Sequence, residues 1–368
     1  MTTTAPNNLP SDSVDAIHRS PATGVTVVIP TFNRSADVQR ALANLWVQQG
    51  VAVDVIVVDN SSTDGTADMV AQQQQQVWGE RLRYLRKAPE GPASARNLGV
   101  RQATTPYVLF HDSDVELSPN WVQHAIAYLD QEPRLGAVGG HIVYAFEPSR
   151  VNAYGGDLGW FGLAWDVSEG EPLSAQTGAA QRIWINCSAM LVRREAVLAA
   201  GAFDESFFYG FEDTDLGWRL RILGYEVRVE PALIAKHHVD ASPGATHPQI
   251  VFHYCKNRLR MLLRNSQSWR LLLVLGVYLG YALVDGVLRA PRRPKWQALF
   301  WNIQRWRETW GLRKRLQSQR QVSDRSVWTC GSGCWFPPTR LAGQRRRAVS
   351  GSHPSSVGVR GAGGDDRV

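Results

Sequence analysis

Cysteine is scarce and scattered in this chain of 368 residues: Cys187, Cys255, Cys330 and Cys334 are the only four. Thiols so few and so far apart do not form a disulfide framework, and none is expected. The first twenty residues lack the apolar core of a secretory signal, which together with free thiols points to a reducing, cytoplasmic setting. Glycine-rich phosphate cradles are missing as well. No GxxxxGK(S/T) occurs and "EGPASARNLG" is not GxGxxG, which argues against P-loop and dinucleotide-dependent enzymes. Acidic residues are nearly absent from one stretch: between Arg289 and Arg320, ten Lys or Arg face the single acid Glu308. The formal net charge of +7 therefore belongs to that segment, and the remaining chain is slightly acidic. Such a segment meets nucleic acid or an anionic membrane. Its tryptophans fall at helical spacing and no nucleic-acid module accompanies them, so a membrane partner is expected and nucleic acid is not.

What is present is enough for a sizeable core, with 44% hydrophobic residues. Residues 1–22, rich in Thr, Ser, Asn and Pro, read as a disordered lead. From there to about 265 short β-branched runs alternate with amphipathic stretches. "GVTVVIP" reads as a buried strand stopped by Pro30, "VDVIVVDN" as a second, "LRYLRK" as a third and "YVLF" as a fourth, with helical spacing between them. This rhythm predicts an α/β fold, a mostly parallel sheet flanked by helices. Beyond residue 135 the pattern predicts a strand in "LGAVGGHIVYAF", aromatic loops at 152–170, a helix through "ESFFYGFEDTDLGWRLRILG" and a last strand in "YEVRVEPALIAKHHV".

Three acidic clusters end these elements: Asp59, the pair Asp112 and Asp114, and the group Glu212, Asp213 and Asp215. A single carboxylate at such a place commonly caps a helix or solvates a turn. In a parallel sheet, however, strand ends of this kind share one edge, where ligands gather. Crowded carboxylates repel unless a cation joins them, and aspartates one residue apart suit oxygen coordination of Mg2+ or Mn2+. A divalent ion with no glycine cradle can hold a diphosphate directly and act as a Lewis acid on it.

The C-terminal part divides in two. Residues 266–320 begin with the apolar "LLLVLGVYLGYALVDGVL", long enough to cross or enter a bilayer but interrupted by Asp285. It is followed by a basic stretch in which Trp296, Leu299, Phe300, Ile303, Trp306 and Trp310 fall on one helical face, the pattern of an interfacial helix. Residues 321–368 carry no period and read as a disordered tail.

The strings "VVIPTFNR", "VVDNSSTDGT", "GPASARNLGV", "LFHDSD", "FDESFFYGFEDTDLGWRLRILGY" and the trailing "HH", in this order over residues 24–265, resemble a family 2 glycosyltransferase of the GT-A fold. The likeness is strongest to the bacterial branch that includes rhamnosyltransferase-like enzymes. The resemblance implies a GT-A domain over 23–265 with a membrane-associating helical segment behind it. Pro30, Thr31 and Asn33 would line the nucleotide, Asp59 would bond the pyrimidine base, and Arg96 would help close that pocket. Asp112 would approach the ribose or the metal shell, Asp114 would ligate Mn2+ or Mg2+, and His237 or His238 would supply a further ligand. Asp213 would be the catalytic base that takes the proton of an acceptor hydroxyl, with Glu212 orienting it. A single in-line displacement would invert the anomeric centre without an enzyme nucleophile, in keeping with the lack of a Ser-His-Asp or Cys-His signature. The donor implied is a pyrimidine nucleotide-sugar, dTDP-rhamnose or a UDP-sugar. The acceptor implied is a saccharide or lipid-linked hydroxyl at the cytoplasmic face of the membrane, in cell-envelope polysaccharide or glycolipid synthesis. The chain departs from the family at "WINCSAM", which puts Asn186, Cys187 and Ser188 near the sugar pocket, and at His111, which precedes the aspartate pair. A nucleotidyltransferase and an inactive nucleotide-sugar-binding scaffold are the competing readings.

Overall fold

The computed structural model describes residues 24–175, 177–239 and 247–330. The disorder expected of 1–22 and of 331–368 falls outside these residues.

The alternating rhythm appears at once. β1 (Val25–Thr31), α1 (Ser35–Trp46), β2 (Val53–Asp59), α2 (Thr66–Gln73), β3 (Leu82–Arg86), α3 (Pro92–Gln102) and β4 (Tyr107–His111) come in succession, and β1 pairs in parallel with both β2 and β4. Their valines and isoleucines face protein on both sides, as strands of a covered parallel sheet do. Pro30 does not stop β1, which runs on to Thr31. The rungs to β4 end at Val28, while those to β2 continue to Thr31, so Pro30 lies where the strand has a single neighbour and a missing N–H is tolerated.

Past β4 the sheet becomes mixed. β5 (Val115–Leu117), α4 (Trp121–Gln131), β6 (Leu135–Tyr144), β7 (Glu147–Ala153), the hairpin β8 (Gly156–Leu158) and β9 (Ala164–Asp166), β10 (Ala180–Gln181), β11 (Ala189–Arg193), α5 (Arg194–Ala199), α6 (Glu212–Ile222) and β12 (Glu226–His237) complete the domain. The main sheet runs β10-β12-β6-β11-β4-β1-β2-β3, with β11 antiparallel to β4 and β12 parallel to β6. β12 also pairs antiparallel with the short β5, which sets His237 opposite Val115 and so beside Asp114. One face of the sheet is covered by α1, α2 and α4 through Leu42, Leu45, Val70, Trp121 and Leu129. The other is covered by α3, α5 and α6 through Val100, Val197 and Trp218.

The helix expected over 205–224 begins only at Glu212. Gly210 and Phe211 before it have φ of 74° and 71°, the left-handed region that a bulky aromatic residue adopts only at a cost. This double turn breaks the helix and opens α6 with its three acids in the first turn.

Five more helices follow among the described residues: α7 (Pro248–Asn265), α8 (Ser268–Leu288), α9 (Arg292–Gln304), α10 (Trp306–Ser318) and α11 (Asp324–Trp328). α7 is fastened to the sheet domain. Arg264 of α7 pairs with Asp204 at 2.9 Å and with Asp215 of α6, and Asn265 donates to Asp215 at 3.0 Å. The tail read as disordered from 321 is folded as far as 330: Trp328 packs edge-on against Trp218 with ring centres 5.0 Å apart, and Asp324 is buried. The expected interfacial stripe is carried by two helices meeting at Arg305, and Trp296, Phe300, Ile303, Trp306 and Trp310 all remain exposed.

Candidate active site

A cavity of about 760 Å³ opens at the carboxyl ends of β1, β2 and β4. Its volume is that of a small-molecule or cofactor site. Pro30 and Thr31 from the end of β1, Asn60 after β2, Arg96 of α3, and Asp112 and Asp114 after β4 line it. Glu212 and Asp213 come from the start of α6. Asp112 and Asp114 after β4 and Glu212 and Asp213 of α6 thus share one cavity, while Asp59 and Asp215 stand outside it.

Arg96 ties them together. Its guanidinium is buried and donates to Asp112 at 2.8 Å and to Glu212 at 3.3 Å. The cation thus bridges the carboxylates after β4 to those of α6, and these two anions hold its proton firmly against the opposing effect of burial. Asp213 has no such cation at hydrogen-bond distance among the described contacts; its carboxylate accepts from the Thr214 amide at 2.7 Å. Burial, then the charges of Glu212 and Asp166, push its carboxyl up to about 8.

At the other end, Asp114 meets His237 at 3.5 Å and Arg34 at 3.3 Å. Burial works to raise the Asp114 carboxyl, but the His237 hydrogen bond and charge and the Arg34 charge hold it below the usual range. Burial likewise opposes charging of His237, and Asp114 outweighs it, raising the imidazole. Nδ1 of His237 is engaged by Asn152 at 2.9 Å, which orients Nε2 toward Asp114. His238 is different: its backbone N–H donates to the Asp114 carbonyl, while its ring pairs with Glu116 at 2.9 Å. Among the described residues no group of three or more His, Cys, Asp or Glu is placed to enclose an ion. A carboxylate beside an imidazole nitrogen, with coordination positions left for phosphate oxygens, nevertheless fits the way Mg2+ and Mn2+ bind at nucleotide sites.

Four predicted residues, Asn33, Asp59, His237 and His238, do not line the cavity; the two histidines stand behind Asp114 as described above. Asp59 is fully buried and its oxygens accept from the Ser62 amide at 2.9 Å and from the Tyr84 hydroxyl. Asn33 accepts from the Thr63 amide at 2.8 Å and ties the loop after β1 to the loop after β2. Both build the loops that shape the cavity. Asn60 reaches the wall instead, and its Oδ1, like Oγ1 of Thr31, is buried without a protein partner. Among the departures, Asn186 and Cys187 line the cavity, and the Ser188 carbonyl accepts from the Asp112 amide. His111 is wholly buried in β4, and burial lowers it to about 4.

Sequence reasoning missed Arg34, Asn60, Trp165, Asp166, Trp184 and Tyr254, all on the cavity wall. Arg34 and Asn60 stand inside the quoted strings "PTFNR" and "VDNSS" and could have been singled out. Trp165 belongs to the aromatic stretch at 152–170, and the β8–β9 hairpin brings it and Asp166 in; Trp184 and Tyr254 carried no spacing signal.

Residues 26–164, under half of the chain, match the family model described as Glycosyl transferase family 2, and the architecture is the GT-A fold. Validoxylamine A glucosyltransferase of Streptomyces hygroscopicus subsp. jinggangensis is 31% identical over 56% of this chain and 53% of its own length. Pre-mycofactocin glycosyltransferase of Mycobacterium tuberculosis is 30% identical over 58% of this chain and 43% of its own length. The chain thus spans about half the length of these relatives. Among solved structures, GalNAc-T7 with UDP, GalNAc and Mn2+ matches with a TM-score of 0.61 and 14% identity, over 83% of this chain and 56% of that one. TarS of S. aureus matches with a TM-score of 0.51 and 15% identity, over 83% of this chain and 54% of that one. These two support the fold.

Proposed function

We propose that this cavity transfers a sugar from a pyrimidine nucleotide-sugar, a UDP-sugar or dTDP-rhamnose, to a hydroxyl of a saccharide or lipid-linked acceptor, inverting the anomeric carbon. The observation that carries the reading is that Arg96 links Asp112 and Glu212 within one cavity, so the strand-end carboxylates and the carboxylates of α6 face a common space. Relatives named as glycosyltransferases support the reaction class.

In this reading Thr31 and Asn60, with buried oxygens that lack protein partners, hydrogen-bond the nucleoside. Asp114 and His237 hold Mn2+ or Mg2+, and GalNAc-T7, a neighbour of the same fold, was solved with UDP and Mn2+. A bound ion would supply Lewis-acid neutralisation of the departing diphosphate. Arg34 adds positive charge beside Asp114, and Arg96 keeps Asp112 and Glu212 in place. Asp213 removes the acceptor proton as the new O–C1 bond forms and the bond from C1 to the diphosphate oxygen breaks, the electron pair leaving with the diphosphate. Trp165, Trp184, Phe211 and Tyr254 give that end of the cavity an apolar wall that limits water.

The enzyme works at the cytoplasmic face of the membrane, where the exposed apolar and basic surface of α8–α10 meets anionic lipid and a lipid-linked acceptor for cell-envelope polysaccharide or glycolipid is presented. The test is nucleoside diphosphate release from a panel of UDP-, dTDP- and GDP-sugars with membrane lipid extract, with Mn2+ or with chelator. Metal-dependent release from one pyrimidine donor is expected. Release that chelator leaves unchanged would overturn the metal's place, and no release from any donor would overturn the transferase reading.

A further inference from the structure

α8 has 21 residues, a mean hydropathy of 2.1 over its most apolar window, and little of that window buried. At 1.5 Å per residue it is about 31 Å long, enough to cross a bilayer. Its length alone therefore leaves two arrangements, across the membrane or along it, and the packing of its neighbours decides between them.

The N-terminal end is fastened in the sheet domain. Arg270, buried, donates to the Trp160 carbonyl at 2.6 Å, pairs with Asp324 at 3.3 Å and lies 3.7 Å above the Trp328 ring. The C-terminal end is fastened to the next helix. Asp285, the acid that interrupts the apolar run, pairs with Lys295 of α9 at 2.6 Å, and Lys295 also donates to the Arg289 carbonyl at 2.9 Å. α9 and α10 then return to α7. Asn302 donates to the Lys256 carbonyl at 3.2 Å, Arg260 to Thr309 at 2.9 Å, and Arg313 to the Ser266 carbonyl at 2.6 Å. Midway, Tyr278 donates to the Cys255 carbonyl of α7 at 3.3 Å. α8 thus enters directly from α7 with its first turn fastened to the sheet domain, touches α7 midway, and is followed by helices that pack back on α7, an arrangement that favours both ends on one side of a membrane.

The opposite side of α8 is apolar and, among the described residues, unpartnered: Leu272, Leu273, Leu283, Val284, Val287 and Leu288 are exposed. Arg289, Arg292, Arg293, Arg305, Arg307, Lys314 and Arg315 are exposed in the segment after it, where the acid Glu308 is taken up by Arg260. Apolar side chains beside a surplus of cations, of which among the described residues Arg289 alone has an acid, Asp285, at 3.8 Å, match an anionic lipid leaflet, whose acyl boundary accepts the first and whose headgroups accept the second. The position of Asp285 also becomes intelligible, since its pairing with Lys295 turns the charge away from lipid.

We infer that α8 lies in the plane of a single anionic leaflet, with its apolar face in the acyl boundary and the adjoining arginines among the headgroups, and does not span the bilayer. This deepens the membrane attachment proposed above and does not depend on the transfer chemistry.

The test uses the full chain. Ser268→Cys and Arg289→Cys mark the two exposed ends of α8, and a membrane-impermeant maleimide is applied to right-side-out and to inverted membrane vesicles, with labelled peptides read by mass spectrometry. Both ends should label only in inverted vesicles; labelling of the two ends in opposite preparations would establish a span and overturn the inference. Purified protein should co-sediment with phosphatidylcholine vesicles containing phosphatidylglycerol. Arg292→Glu with Arg293→Glu should weaken that binding about tenfold or more, and Leu272→Glu with Leu283→Glu should do the same. A dimer in solution that ignores vesicles would overturn it by assigning the apolar face to a second copy. Diphosphate release measured on the same samples separates the two proposals: bound protein without turnover on any donor refutes the transferase reading alone, and turnover without vesicle binding refutes this one alone.

Discussion

Oδ1 of Asp114 lies 3.5 Å from Nε2 of His237, while the ring of His238, the next residue, is 2.9 Å from Glu116. Strand pairing separates the two histidines, because successive side chains at the end of β12 leave it on opposite faces and only one of them can reach the end of β4.

If Asp114 and His237 hold the ion, His237→Ala should weaken Mn2+-dependent binding of UDP about tenfold to hundredfold, with Asp114→Asn at least as severe. His238→Ala should leave binding unchanged. Calorimetric titration of UDP with and without Mn2+ checks this. Equal losses at both histidines would remove the distinction.

The carboxyl of Asp213, pushed up to about 8 by burial and then by Glu212 and Asp166, must be ionised to act as a base. Log kcat/KM should therefore climb with unit slope up to about pH 8 and level off above it. Replacing Glu212 with Gln removes a negative neighbour and should move that limb to lower pH. Asp213→Asn should reduce turnover by about a hundredfold or more while leaving donor binding intact. A profile flat from pH 6 to 9 with native turnover in Asp213→Asn would exclude this base.

Arg264 sits between two buried carboxylates, Asp204 and Asp215, which it shares with Arg260 and Arg219. Arg264→Met leaves each of them one cation short. A loss of about 3–5 kcal/mol is expected, read as a lower midpoint in thermal or urea unfolding. Burial works to raise the Asp204 carboxyl, but Arg264 and Arg260 hold it well below its ordinary value. Its contribution to stability is thus full above the unfolded value of about 3.9 and is lost as pH falls toward the lower folded one. Arg264→Met should flatten this acid dependence.

Gly217 lies in the middle of α6, where alanine would favour the helix by about 1 kcal/mol. A Cβ there would stand 2.6 Å from the Ile183 carbonyl oxygen and 2.7 Å from the Trp184 Cα. Both are backbone atoms that cannot step aside. Gly217→Ala should destabilise by about 1–3 kcal/mol and, by displacing the helix that carries Asp213, lower kcat more than it raises the donor KM. A variant as stable as the parent would show that α6 can shift without cost.

Much of the fold was legible because its signals are local. "VTVVIP" and "VDVIVVD" are strands because β-branched residues covered on both sides have few alternatives, and the acids beyond them fall at the sheet edge because strands of a βαβ unit all point one way. The second half was harder to read. The helix expected from residue 205 was cut at Phe211 by a left-handed turn that no composition signals, and Asp324 with Trp328 folded where Gly and Arg had suggested a disordered tail.

By itself the sequence determined the alternating strands and helices with acids at the strand ends, and an apolar segment followed by a basic one. Only the tertiary structure decided that Arg96 reaches Glu212 across 116 positions while holding Asp112, that Asp59 and Asn33 turn into the loops while Asn60 faces the cavity, and that the chain leaving α8 packs back on α7. The physical reason is the range of the forces involved. Propensity and periodicity act over a few neighbours, whereas the partner of a buried charge is whichever group the strand register and the helix packing bring within hydrogen-bond reach.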